Sequence, residues 1–134
     1  MDHNKKLENM VLTCIDTAKA MLVEYKMVIP FGIRSFVDNE DLKMNCPGDK
    51  LADPNWDEQL NMVVNELKTF VSNESIFATV VVTELESEGE TAIGLQIETE
   101  LSSVLFVYPF ILKDDEWVIS EPIETNQLLS RVYE

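Results

Sequence analysis

At residue 76 the hydrophobic period of this chain changes from about 3.6 residues to two, and it does not change back. Before that point, Leu7, Met10, Val11, Cys14, Ala18, Met21, Leu22 and Tyr25 recur at three- and four-residue steps. Lys5, Lys6, Glu8, Asp16, Lys19, Glu24 and Lys26 fill the other faces, which predicts an amphipathic helix over 7–25. It must stop near Val28, because Pro30 disfavours helical backbone at Ile29 and Gly32 follows. Trp56, Leu60, Val63, Leu67, Phe70 and Val71 predict a second helix ending around 72–75, with Asp53 as N-cap and Pro54 at the first helical position. Between the helices, "GIRSFV" (32–37) reads as a strand, "DNED" (38–41) as a turn and "LKMNC" (42–46) as a short return strand. "PGDK" (47–50) is a further turn signal.

After residue 76 the chain reads as an antiparallel meander: strands at 76–86, 91–101, 104–112 and 117–120, joined by "SEGE", "SS" and "KDDE". The register can be tested for consistency. If "SEGE" pairs Glu86 with Thr91, Val82 faces Leu95 and Val80 faces Ile97. A tight "SS" turn pairing Leu101 with Val104 then puts Phe106, Tyr108 and Phe110 on that face, and the "KDDE" loop adds Trp117 and Ile119. Three loop lengths agree on one apolar face, although a one-residue slip at any of them would reverse every side chain beyond it. The opposite face carries Phe77, Thr79, Val81, Thr83, Leu85, Gly94, Gln96, Glu98, Glu100, Leu105, Val107, Pro109, Ile111 and Val118. It is too apolar for a solvated face and too polar for a dry core, which suits a second subunit first and a pocket wall second.

Charge bounds the partners. Twenty-five acids against ten bases give a formal net charge of −15, a field that repels phosphate backbones and anionic lipid. The charge serves solubility first and a basic partner second; residues 1–68 carry a net −4 and residues 69–134 a net −11, so any electrostatic partner is expected to meet the C-terminal half. Glu8, Asp16 and Lys19 interrupt any signal-peptide core, and the longest apolar run, "VLFVYPFIL", is too short to span a bilayer as a helix. A soluble, cytoplasmic location is the expectation. Cys14 and Cys46 make no disulfide framework, and Cys14 falls on an apolar helical stripe.

Little chemistry is on offer. The one histidine, His3, falls in an N-terminus expected to fray, which removes histidine-based nucleophilic constellations unless that end folds back over the domain, and with only two distant cysteines a standard zinc site is not expected. No glycine-rich phosphate loop occurs, and "DNED" lacks the glycine and distal glutamate of a calcium loop. Glu98 and Glu100, two apart on a strand and about 7 Å from each other, are the one carboxylate pair able to serve as acid and base or to hold a hard cation. A solvated strand face explains them more simply. Arg34 is expected to find a carboxylate on the surface, and the aromatics fall mostly where the periods already place core.

In element order the chain resembles the NTF2-like cone fold, which implies dimerisation through the sheet and a pocket at the cone mouth. It departs from that fold in lacking a separate second helix before the first strand and in its short final strand. In size and charge it also resembles acidic immunity or inhibitor proteins that neutralise basic toxins. Neither resemblance carries residues across.

The expectation is a single α+β domain over 1–134: a long N-terminal helix, a short strand or hairpin, a second helix and a four-stranded antiparallel meander, with both helices packed on one sheet face. Its expected role is that of a non-enzymatic interaction module that homodimerises through the mixed face. Thr79, Gln96, Glu98, Glu100, Leu105 and Val107 are the candidate interaction residues. No catalytic residue, metal site or cofactor is assigned. The expected partners are a second copy or a basic protein, not nucleic acid or membrane. The alternatives are an NTF2-like ligand-binding domain or enzyme, and an immunity-type inhibitor.

Overall fold

The computed structural model describes residues 3–47, 55–87, 89–125, 127–129 and 131–133. Helix α1 (His3–Tyr25) begins before its apolar stripe does. His3, expected in a frayed end, is the first residue of the helix and stays exposed, with its ring centroid 4.6 Å from that of Phe77. At the other end Lys26, in the left-handed region at φ 60°, donates its N–H to the Leu22 carbonyl at 3.0 Å and closes the helix. Strands β1 (Phe31–Phe36) and β2 (Leu42–Asn45) form the expected hairpin. Helix α2 (Trp56–Asn73) is capped by Asn55, whose Oδ1 accepts from the N–H groups of Asp57 at 3.0 Å and Glu58 at 3.2 Å. That cap replaces the expected Asp53; Asp53, Pro54 and residues 48–50 of the "PGDK" turn lie outside the described residues.

The sheet continues through β3 (Ile76–Ser87), β4 (Glu90–Glu98), β5 (Ser103–Lys113), β6 (Glu116–Ile119) and β7 (Ile123–Thr125). All pairings are antiparallel, in the order β2-β1-β3-β4-β5-β6, with β7 also on β5. The expected four-stranded meander is therefore part of a seven-stranded sheet that incorporates the β1–β2 hairpin. Strands β6 and β7 pair successive parts of β5, and the register steps by one residue between Phe110↔Ile119 and Val107↔Ile123. Pro109, which has no N–H to give a ladder, sits at that step, and its carbonyl accepts from Ser120 at 2.7 Å.

The β3–β4 register is the expected one, with Val82 opposite Leu95, Val80 opposite Ile97 and Glu86 opposite Thr91. The β4–β5 register is not. Val104 pairs with Ile97 instead of Leu101, because Thr99 rather than the "SS" pair organises the turn. The Thr99 hydroxyl accepts from the N–H groups of Leu101 and Ser102, each at 3.2 Å, and Thr99 N–H donates to the Ser102 carbonyl at 2.8 Å. Leu101, expected in the core, is 96% exposed. The slip is four residues, an even number, so Phe106, Tyr108 and Phe110 stay on the face of Leu95 and Ile97.

The helices lie on opposite faces, not on one. Met10, Cys14, Ala18, Met21 and Leu22 of α1 pack with Ile33, Val80, Val82, Ile93, Leu95 and Ile97. Val63, Val64 and Leu67 of α2 pack with Val81, whose side chain points the other way along β3. The close crossing of α2 over β1 needs Gly32, where a Cβ would stand 2.9 Å from Leu67 Cδ1 and 3.1 Å from Val63 Cγ1. The reason is the mixed face itself. Both faces of the sheet's first half are apolar, and each needs a helix. At the end of β1 a bulge leaves Phe77 as an extra residue between Ala78, which pairs Ser35, and Ile76, which pairs Phe36. Phe77, expected on the mixed face, therefore joins the α1 core. Among the described residues no helix is long and apolar enough to cross a membrane.

Candidate functional site

The six residues singled out on the mixed face have different fates. Thr79, Gln96 and Glu98 are fully buried and Leu105 is 3% exposed, whereas Val107 is half-buried and Glu100 is exposed. The cover comes from the chain itself. Helix α2 lies over β1 and β3, and the C-terminal segment after β7 lies over β4.

Two floor side chains hold that segment. Gln96 Oε1 accepts the Leu129 N–H at 2.6 Å, and Glu98 Oε2 accepts the Val132 N–H at 2.7 Å. The other oxygen of Glu98 accepts from Ser103 Oγ at 3.0 Å and Arg131 Nε at 3.4 Å. Val132 packs into the α2 core beside Val63, Val64, Leu67 and Val81. Tyr133, next along, has its phenol pushed up to about 12 by burial first and then by the fields of Glu100 and Glu98. Two hydroxyls in this region, Thr79 Oγ1 and Tyr133 Oη, are buried with no hydrogen-bond partner among the described residues.

This arrangement does not bring Glu98 and Glu100 together as a working pair. Glu98 closes β4 with its carboxylate engaged by three donors, and Glu100 stands in the following loop. Among the described residues no three His, Cys, Asp or Glu side chains converge on a point. Arg34 is not a surface residue. Its guanidinium carbon lies 3.6 Å from the Phe70 ring centroid, under α2, and its Nε is 2.8 Å from Glu74 Oε1. Cys46 is half-buried with Sγ 3.5 Å from the Pro30 carbonyl, and residues 48–52 of its loop lie outside the described residues.

Apolar surface is also open on the other face. Helix α1 covers β3 and β4 but leaves part of β5 half-exposed, and a groove of about 570 Å³ runs between α1 and the sheet. Leu7, Val11 and Leu12 form one wall, Ile97, Val104 and Phe106 the other, and Glu8, Thr99 and Ser102 supply its polar lining. Leu12 is 62% exposed. Glu124, opposite Phe106 on β7, adds an exposed carboxylate on the same sheet face. Sequence reasoning missed this groove, yet one signal was present: Leu12 is apolar and lies outside the α1 stripe. A similar signal was the apolar "LL" and "V" of residues 128, 129 and 132, which belong to no periodic element.

The features together define a two-faced α+β protein whose mixed face is covered by its own chain over β1, β3 and β4, with Ile111, Val118 and Ile123 exposed at its far end, and whose other face is left partly open beside α1. No protein-family model matches the chain, and no similar protein was found among curated sequences or solved structures.

Proposed function

We propose that the protein is a non-enzymatic interaction module that takes an amphipathic, positively charged helix of a partner protein into the groove between α1 and β5. The observation that carries this is the uncovered apolar lining of that groove, Leu7, Val11, Leu12, Ile97, Val104 and Phe106, set beside the carboxylates of Glu8 and Glu124. Helix-in-groove recognition needs such a lining, and charge complementarity selects the occupant. A second copy is the weaker occupant, because two chains of net charge −15 repel on contact. Homodimerisation through Gln96 and Glu98 requires residues 127–129 and 131–133 to leave them first.

The test is fluorescence anisotropy of a designed helical peptide with leucines on one face and lysines on the other. The wild-type chain should bind it saturably, more weakly as salt rises. Leu12→Glu separates the two contributions: it adds negative charge yet spoils the apolar wall. Weakening by about tenfold or more supports seating in the groove. Binding that strengthens in that variant, or that ignores ionic strength, overturns the proposal. A second reading, an apolar small ligand held between helix and sheet, draws on the same cavity of about 570 Å³. It predicts that an environment-sensitive apolar dye binds the groove and is released by Leu12→Glu, with no dependence on salt.

A further inference from the structure

We infer that the C-terminal segment, residues 127–129 and 131–133, is an exchangeable strap, and that the mixed face beneath it is a second docking surface for an extended, Arg-bearing segment of a basic partner. This surface is on the opposite side of the sheet from the α1 groove and does not depend on it.

The attachment of the strap is the first argument. The segment makes no strand ladder. Among the described residues, the main-chain N–H groups of Leu129 and Val132 are given to the side chains of Gln96 and Glu98 on β4, and that of Gln127 to Thr125 Oγ1 on β7. Of its described side chains one, Val132, is deeply buried, and Arg131 reaches Glu98 while remaining half-exposed. Main-chain capture with one apolar anchor and one charged contact is how extended peptides are recognised, and any segment with an arginine followed by a small aliphatic residue can offer the same groups.

The floor is the second argument. A permanent cover is made by apolar packing, as α2 makes it over Val81 with Val63, Val64 and Leu67. A fully buried carboxylate and a fully buried amide are costly beneath a fixed lid. They suit a surface that is sometimes uncovered, because water satisfies both acceptors when the strap leaves. Across the sheet Arg34, Thr79, Glu98 and Ser103 occupy one row of cross-strand partners, and Gln96 lies in the next row of the same face, opposite Val81 and Leu105. Thr79 Oγ1, fully buried and without a partner among the described residues, is a hydroxyl the strap leaves unused. The identity of the occupant follows from charge. The half of the chain that forms this face carries a net −11, and Glu100 stands exposed beside Val132 and Tyr133 in the cleft next to Lys68 and Ser72. Arg131 is one of only two bases in that half, and it is the one placed on Glu98. The strap thus supplies in cis the charge that a basic partner would supply in trans.

The experiment uses a fluorescently labelled synthetic peptide of residues 126–134, added to the full chain and to the full chain carrying Val132→Asp. Loosening the strap removes its competition, so the peptide should bind the Val132→Asp chain about tenfold or more tightly than wild type. A peptide that itself carries Val132→Asp should bind neither chain. A peptide with Gln127→Lys should bind more tightly than the native one, with the advantage lost at high salt. Failure of the native peptide to bind a Val132→Asp chain that keeps its circular dichroism overturns the proposal. Global unfolding of that chain overturns it equally, because the segment is then part of the core. A lysine peptide that binds no better overturns the basic occupant, as does a wild-type dimer that the native peptide dissociates, which assigns the surface to a second copy. The α1 groove is untouched by these changes, so the leucine–lysine peptide reports on it separately.

Discussion

Lys6 shows how much a single residue's place depends on its neighbours. By periodicity it belongs to the solvated side of α1, yet it is 9% exposed. Its ammonium donates to the carbonyls of Phe36 and Asn39, where β1 ends and the chain turns toward β2, and lies 5.5 Å from the Phe77 ring centroid. The bulge that turns Phe77 toward α1 makes that berth, and a bulge leaves no mark on a period-two pattern. Tyr133 makes the residue scale testable. Its phenol is held at about 12 in the native chain, against an ordinary value near 10 in the unfolded one. Across that window the unfolded state binds fewer protons than the native state, so stability falls as pH rises. Urea midpoints measured between about pH 10 and 12 should fall less steeply for Tyr133→Phe than for wild type. Cys14 behaves alike, its thiol pushed up to about 12 by burial against α1's core neighbours.

Among the elements, the location of each helix and strand was legible because period, cap and turn are local signals. The register of β4 on β5 was not, because the Thr99 turn competes with a serine pair that looks equally suitable, and only side-chain hydrogen bonding separates them. The assignment of faces survived because the error was even. The placement of α2 was illegible for a different reason. An apolar stripe states that a helix must be covered, not by which face of a sheet. Two separate cores make a distinct prediction from one shared core. Leu22→Ala in the first and Leu67→Ala in the second, both at fully buried positions, should each cost about 2–5 kcal/mol. With the sheet between them, the double variant should match the sum within about 0.5 kcal/mol in urea denaturation. A clear departure from additivity would mean the helices share a core after all.

At the scale of the whole molecule, charge is the governing term. A net of −15 on 134 residues opposes compaction by self-repulsion and is relieved by screening. Stability should therefore rise as salt is raised from about 0.01 M to about 0.15 M, where the screening length falls from about 30 Å to about 8 Å. The urea midpoint at the two salt concentrations is the measurement, and an unchanged or lower midpoint would show that local ion pairs such as Arg34–Glu74 outweigh the net field. The same charge is what the proposals of a basic partner rest on at both surfaces, and the salt titrations test it.

The sequence by itself determined the elements and, after residue 76, which side chains share a face, because both follow from backbone geometry over a few residues. The candidate interaction residues were legible as an unusual face but not as a covered one. Gln96 and Glu98 meet Leu129 and Val132 across more than thirty residues of chain, and no local period records a contact at that distance. Tertiary structure alone decided that α2 covers β1 and β3 on one face, that α1 leaves a groove on the other, and that Arg131 and Val132 return to lie on Glu98. The physical reason is that an apolar or polar surface specifies the kind of group that must cover it, while chain connectivity and packing choose which group does.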